Sequence, residues 1–239
     1  MNKNKTELVL VLDRSGSMHS CVHDTEGGAK ALIEDQKKEE GEVSVSYFRF
    51  NNSVEKVYEG VDIREIGAIK LEPRGGTALL DGIGTAIDQT GIRLANMTEQ
   101  DRPGLVIVAI MTDGGENSSK EYNTLRVSEM IKHQTDKYGW QFMFLGANQD
   151  AFATGRNLSI ADSHISNYST SKSLQAFSGS SDLIRQKRGL LRSGGTIESV
   201  SRCGYSEESK EAMSEESIQK NAAKKDEGLI SRAAKIFHS

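Results

Sequence analysis

Oxygen-bearing side chains occur in three separated segments of the sequence, and together they could bind a hard metal ion. The segments are residues 13–17 (Asp-Arg-Ser-Gly-Ser), residues 75–77 (Gly-Gly-Thr) and residues 112–114 (Thr-Asp-Gly). The candidate ligands are two carboxylates and three hydroxyls, from Asp13, Asp113, Ser15, Ser17 and Thr77. Oxygen donors without His or Cys suit Mg²⁺, Mn²⁺ or Ca²⁺ better than Zn²⁺ or Cu²⁺. We therefore predict a magnesium-type site built from these five residues.

Two strands and one helix must position these segments. Residues 8–12 and 105–111 are wholly apolar, which is typical of strands buried on both faces of a parallel sheet. Asp13 leaves the first strand and Asp113 leaves the second. If the two strands are neighbours where the strand order reverses, both carboxylates meet in one crevice. Thr77 opens the helix predicted over residues 77–94, and the preceding glycines allow its backbone to come close.

The rest of the sequence alternates between strand and helix signals. Helices are predicted over 18–40 and 122–138, and a strand over 140–145. Strands over 43–50 and 54–59 are joined by three residues, which predicts an antiparallel hairpin at a sheet edge. We predict an α/β, Rossmann-like, doubly wound sheet that is mostly parallel, with one antiparallel edge strand and helices on both faces. Gly27 and Gly28 inside the first helix predict close packing on the sheet.

The pattern Asp13-x-Ser15-x-Ser17, Thr77 and Thr112-Asp113-Gly114 resembles the metal-ion-dependent adhesion site of von Willebrand factor A domains. All five motif positions carry the residue types of that family. The resemblance implies a Rossmann-like sheet of about six strands with a Mg²⁺-type site. It implies that Ser15, Ser17 and Thr77 ligate the metal, and that Asp13 and Asp113 bind it directly or through water. Residues 139–148 are also similar to single-domain cytoplasmic members from bacteria and phages.

The resemblance predicts two regions along the chain. Residues 1–188 form the von Willebrand factor A-like domain, and residues 189–239 form a polar C-terminal tail that is partly helical or disordered. Near the end of this tail, apolar residues are spaced as one narrow helical face: Leu229, Ile230, Ala233, Ile236 and Phe237. That face indicates either a solvated, frayed helix or a helix that docks on the body, another subunit or a partner.

Composition bears on location and on the class of partner. The net charge is −4 and no basic stripe is present, which argues against nucleic acid as a partner. The two cysteines, Cys21 and Cys203, are far apart, as expected in a reducing compartment. The polar start and the short apolar runs predict neither a signal peptide nor a membrane span. We therefore expect a cytoplasmic protein without a membrane partner, so the cell-adhesion function of extracellular relatives does not carry over.

The donor set also favours binding over catalysis. Neutral hydroxyls leave the charge of the cation poorly cancelled, so a carboxylate from a partner could replace a water ligand. No neighbouring residue is placed as a nucleophile or general base, and we expect no enzyme activity. We predict a divalent-metal-dependent protein-binding module that engages an acidic residue of a partner protein. Two alternatives stay open: a metal-dependent phosphoester hydrolase on a similar fold, and a structural assembly protein tethered by its tail.

Overall fold

A six-stranded sheet forms the centre of the protein, for which a computed structural model describes residues 1–147 and 151–214. The strands are β1 (Asn2–Asp13), β2 (Glu42–Phe50), β3 (Val54–Asp62), β4 (Pro103–Thr112), β5 (Gln141–Gly146) and β6 (Ile165–Asn167). They lie in the order β3-β2-β1-β4-β5-β6. The pair β2–β3 is antiparallel and the other neighbouring pairs are parallel. The predicted α/β class, with a mostly parallel sheet and an antiparallel edge strand, is confirmed.

Helices cover both faces of this sheet. They are α1 (Val22–Lys38), α2 (Leu79–Ala95), α3 (Thr124–Tyr138), α4 (Ala151–Asn157), α5 (Ser173–Arg192), α6 (Ile197–Arg202) and α7 (Glu207–Met213). Leu8, Leu10 and Leu12 pack in one apolar cluster with α1 and α5, whereas Val9 and Val11 pack in a second cluster with α2 and α3. Successive side chains of a strand point to opposite faces, which explains the unbroken apolar run in β1. None of the described helices is both long and apolar enough to cross a membrane.

The strand order reverses between β1 and β4, which are direct neighbours. Leu12 pairs with Met111 in the parallel register, so Asp13 and Asp113 leave the sheet side by side at its C-terminal edge. A doubly wound sheet binds its ligands in the crevice at this reversal. The sequence prediction assumed that these two strands are neighbours, and the fold confirms it.

The packing partner predicted for the two helical glycines was wrong. A Cβ atom at Gly28 would overlap the Phe177 ring on α5, and one at Gly27 would lie 3.8 Å from Leu174 on the same helix. The glycines therefore make room for a neighbouring helix instead of the sheet. The physical reason is that α5 lies across α1, a contact between elements about 150 residues apart that no local pattern indicates.

The chain beyond residue 188 continues into the packed body. Helix α5 runs through the predicted boundary, and Val200, Tyr205 and Met213 are buried in the same core cluster as α1 and α5. Lys187 is also buried, and its Nζ donates hydrogen bonds to the carbonyl oxygens of Val200 (2.7 Å) and Cys203 (2.6 Å). Most of the few apolar residues in this stretch contribute to packing, which a low average hydrophobicity conceals. The predicted helical face at 229–237 lies outside the described residues.

Candidate metal centre

The five predicted residues meet at the C-terminal edge of the sheet. Asp13 ends β1 and Asp113 follows β4, while Ser15 and Ser17 lie at the start of a short 3-10 helix (Gly16–Ser20). Thr77 lies two residues before α2. Backbone hydrogen bonds join the first two segments: Gly16 N donates to Gly75 O (2.9 Å), and Arg74 N donates to Arg14 O (2.8 Å). The structure therefore brings together the three segments that the sequence singled out.

The two serine hydroxyl groups and one carboxylate form a chain of hydrogen bonds. Ser17 Oγ donates a hydrogen bond to Asp113 Oδ1 (2.6 Å), and Ser15 Oγ lies 3.0 Å from Ser17 Oγ. A Cβ atom added at Gly114 would lie 3.2 Å from Thr77 Oγ1 and 3.5 Å from Ser17 Oγ. Thr77 and Ser17 thus face the same small space, which the missing side chain of Gly114 leaves open. Two hydroxyl oxygens therefore border this space.

The Asp13 carboxylate is fixed by a hydrogen bond to each of its oxygens. Its Oδ1 accepts a hydrogen bond from Ser15 N (2.6 Å) and its Oδ2 accepts one from Thr112 Oγ1 (2.6 Å). Burial raises the pKa of Asp13 to about 6, the bonds from Thr112 and Ser15 oppose that shift, and the charge of Asp113 adds to it. Burial also raises the pKa of Asp113, against the hydrogen bond from Ser17. Two buried carboxylates therefore stand close together at a cost in free energy.

These residues fit a divalent cation. Among the described residues neither carboxylate has a cationic partner, and Arg14, which follows Asp13, pairs with Glu55 (2.9 Å). The hydroxyls are also free of the helix-capping roles that serine and threonine often fill. Ser15 makes no side-chain capping bond, and the residues that precede α1 and α2 are Cys21 and Ala78. Buried carboxylates and hydroxyl oxygens that do not cap helices are donors that Mg²⁺, Mn²⁺ and Ca²⁺ take.

The centre opens to solvent on one side. Asp13, Ser15, Thr77 and Asp113 are each at most 3% exposed, whereas Ser17 is exposed. In the described part of the chain, no group of three or more His, Cys, Asp and Glu side chains could hold a metal ion. A cation here would therefore depend on the serine and threonine hydroxyls and would be reachable from the side of Ser17.

The loop of residues 114–122 ties Thr77 to the segment after Asp113, and sequence reasoning missed this support. Asn117 Oδ1 accepts from Thr77 N (2.8 Å), and Asn117 N donates to Thr77 O (3.0 Å). The Glu116 carboxylate accepts from the backbone N–H groups of Leu80 (2.9 Å) and Ser119 (2.8 Å). Glu116 thus binds the backbone and does not stand free beside the motif.

Asp81 fixes the far end of the same loop. Its carboxylate accepts from three successive backbone N–H groups, those of Lys120 (2.8 Å), Glu121 (3.0 Å) and Tyr122 (2.9 Å). The only local signal for this role is an Asp in the first turn of a helix, which is common because it also favours the helix dipole. The partner loop lies about 40 residues away, so the sequence pattern alone does not identify it.

Comparisons with known proteins place the fold. No family model and no curated protein sequence matches the chain. Proximal thread matrix protein 1 from the mussel byssus aligns with a TM-score of 0.55 and 15% identity, over 76% of this chain and 46% of that chain. The ArnB paralog VWA2 from Sulfolobus acidocaldarius gives 0.51 and 17%, over 75% and 45%. The PilB minor pilin from Streptococcus sanguinis gives 0.55 and 14%, over 80% and 63%.

The chain thus spans less than half the length of the mussel and Sulfolobus proteins. A further structure of the mussel protein, with a TM-score of 0.52 and 15% identity over 76% of this chain and 46% of that chain, has a zinc-occupied metal-ion-dependent adhesion site motif. At identities of 14–17% these similarities concern the fold. They agree with an α/β fold built on a six-stranded, mostly parallel sheet. The chain has the fold of von Willebrand factor A domains.

Proposed function

We propose that the protein is a divalent-metal-dependent protein-binding module that engages an acidic side chain of a partner protein. The metal would be Mg²⁺, with Mn²⁺ or Ca²⁺ as chemically related substitutes. It would be held by Asp13, Ser15, Ser17, Thr77 and Asp113. The observation that carries the proposal is the meeting of these five residues at one edge of the sheet, where Ser17 and Thr77 face the space over Gly114 and neither carboxylate has a cationic partner among the described residues. The zinc-occupied motif of the mussel protein supports it by analogy of fold.

The donor set explains why a partner would offer a carboxylate. Both oxygens of Asp13 already accept hydrogen bonds, from Ser15 N and Thr112 Oγ1, so much of its charge is spread over those donors. The three hydroxyls carry no charge. A bound cation would supply a Lewis-acid centre that attracts a further anionic oxygen. Because four of the five residues are buried and Ser17 is exposed, that oxygen would arrive from one side.

Binding without catalysis is part of the proposal. The described side chains that contact the two carboxylates belong to serine and threonine, and none of these contacts places a histidine or lysine as a general base. A net charge of −4 also favours a protein partner over nucleic acid. We propose that the module acts in the cytoplasm, in keeping with its few and distant cysteines.

The test is a pull-down from a lysate of the source cells with the purified protein as bait. A partner should be retained by the wild type in Mg²⁺ and lost both in EDTA and with Asp13→Ala. Asp136→Ala removes an exposed aspartate of α3 far from the centre and should retain the partner. Replacing acidic residues of the recovered partner by their amides should then abolish binding. Retention that ignores EDTA and Asp13→Ala would contradict the proposal.

A further inference from the structure

Tyr168 has a buried hydroxyl without a hydrogen-bond partner among the described residues. Its side chain is 3% exposed, and it packs in the apolar cluster that contains Met18 and Cys21. A buried tyrosine hydroxyl usually finds a partner, because leaving it unpaired costs stability. The unpaired hydroxyl of Tyr168 therefore needs a physical reason. We look for that reason in its position relative to the candidate metal centre.

Tyr168 follows β6 at the same edge of the sheet as the metal centre. Tyr168 N donates to Gly146 O (3.0 Å), Gly146 pairs with Thr112 of β4, and Ala147 N donates to Thr112 O (2.9 Å). The residue thus stands two strands from β4, or about 10 Å. It belongs to the same buried apolar cluster as Met18 and Cys21, which follow Ser17 in the chain. The side chain therefore lies in the apolar layer that also contains the residues after Ser17.

The hydroxyl also interacts electrostatically with the centre. Burial raises the pKa of Tyr168 well above its usual value, and Cys21, Asp113 and Asp13 raise it further. Two consequences follow. The hydroxyl stays protonated and can only act as a neutral donor or acceptor, and it lies near enough to both carboxylates to respond to their charge. A donor buried beside a pair of carboxylates is suited to hydrogen-bond them.

We propose that Tyr168 is a positioning residue of the metal centre, whose hydroxyl donates a hydrogen bond across one water molecule to the carboxylate pair of Asp13 and Asp113 when a cation is bound. The inference rests on the proposed metal site. Groups that hydrogen-bond metal-binding carboxylates fix their orientation, and removing such groups commonly weakens metal binding by about 10–100-fold. A bridging water is nearly as effective as a direct bond. A tyrosine that served only to fill space would gain nothing from its hydroxyl.

Tyr168→Phe tests this because it removes one oxygen atom and keeps the ring. Calorimetric titration of the metal-free full chain with MgCl₂, and separately with MnCl₂, should give dissociation constants about tenfold higher than for the wild type. The thermal midpoint of the metal-free variant should be equal to that of the wild type or higher, because the lost hydroxyl has no partner in the described part of the chain. Affinities within twofold of the wild type would overturn the inference.

Tyr205→Phe is the matched control. Tyr205 is also buried, but its hydroxyl is paired with Ser180 Oγ (3.0 Å). This variant should lower the thermal midpoint and leave the affinity for Mg²⁺ unchanged, which is the reverse of the result expected for Tyr168→Phe. If the wild type itself fails to bind Mg²⁺ or Mn²⁺ at millimolar concentration, the proposed function fails together with this inference. If the wild type binds and both variants bind equally well, the inference alone fails.

Discussion

At the scale of single residues, Gly114 controls the space where a cation would lie. An added methyl group would approach Thr77 Oγ1 to 3.2 Å and Ser17 Oγ to 3.5 Å, which is tight for the first contact and ordinary for the second. We expect Gly114→Ala to displace Thr77 and to weaken Mg²⁺ binding roughly tenfold, or about 1.4 kcal/mol. Calorimetric titration of the variant with MgCl₂ measures this directly.

Gly115→Ala is the control. A Cβ atom at Gly115 would meet nothing within 4 Å, so this variant should bind Mg²⁺ as the wild type does. Equal weakening in both variants would contradict the prediction.

Asp13 makes the metal-free protein sensitive to pH. Its pKa is about 6 in the folded state, against 3.8 for an unperturbed aspartate. The folded state therefore holds the proton more tightly, and the stabilisation that this provides is complete below about pH 4 and is lost as the pH rises through 6. The free energy of unfolding falls by about 3 kcal/mol over this range, which corresponds to the difference between a pKa of about 6 and one of 3.8.

We therefore expect Asp13→Asn to be more stable than the wild type in EDTA at pH 7.5 and to differ little from it at pH 4. Urea denaturation of both proteins at the two pH values measures the difference, and groups common to both cancel in the comparison. Added Mg²⁺ should stabilise the wild type and leave the variant unaffected. A wild type that is the more stable protein in EDTA at pH 7.5 would show that burial is not the dominant influence on this carboxylate.

At the scale of elements, the 114–122 loop depends on α2 for its shape. The Asp81 carboxylate accepts from three consecutive backbone N–H groups of that loop. Hydrogen bonds to a charged group contribute about 1.5–3 kcal/mol each, although the freed N–H groups of an exposed loop regain bonds to water. We expect Asp81→Ala to destabilise the protein by about 2–3 kcal/mol and to weaken Mg²⁺ binding, because the loop also holds Thr77 through Asn117.

Hydrogen exchange locates the effect of Asp81→Ala. Amides of residues 115–122 should exchange faster in the variant, whereas amides of β1 and β4 should keep their protection. Asp136→Ala on α3 is the control and should leave the loop unchanged. Uniformly faster exchange throughout the protein would mean that Asp81 stabilises the fold as a whole and not this loop in particular.

The elements differ in how far the sequence could predict them. Strands β1 and β4 were predictable because burial on both faces leaves an unbroken apolar run, and the reversal between them placed Asp13 beside Asp113. The role of Asp81, the partner of Gly28 and the position of Tyr168 were not predictable. Each depends on a contact with a loop or helix far away in the chain, and a polar residue that binds a distant backbone has the same local pattern as one that is solvated.

At the scale of the whole molecule, the C-terminal helices complete the core. Val200, Tyr205 and Met213 are buried, and each buried apolar side chain contributes about 1.5–3 kcal/mol. A variant that ends after Thr196 would lose all three and would leave the Lys187 ammonium without its acceptors on Val200 and Cys203. Because a domain is stable by only about 5–15 kcal/mol, we expect this variant to unfold or aggregate.

A second variant, ending after Ser214, keeps these contacts and should unfold cooperatively, with a thermal midpoint close to that of the full chain. Differential scanning calorimetry of the two variants and the full chain tests this. If the variant ending after Thr196 were as stable as the full chain, α6 and α7 would be accessory to the fold. Comparing oligomeric states of the full chain and the longer variant would also test the assembly role considered for the tail.

The central place of β1 has a consequence for how the protein is made. Asp13 and Asp113 are separated by 100 residues in the chain (113 − 13), and β1 must pair with β4 to complete the sheet. At a synthesis rate of about 5–20 residues per second, the ribosome needs about 5–20 s to supply the second strand after the first. During that interval β4 is not yet available to pair with the five apolar residues at positions 8–12. The crevice for the cation does not yet exist. A cation that needs both carboxylates would therefore bind after this folding step and would stabilise the finished fold.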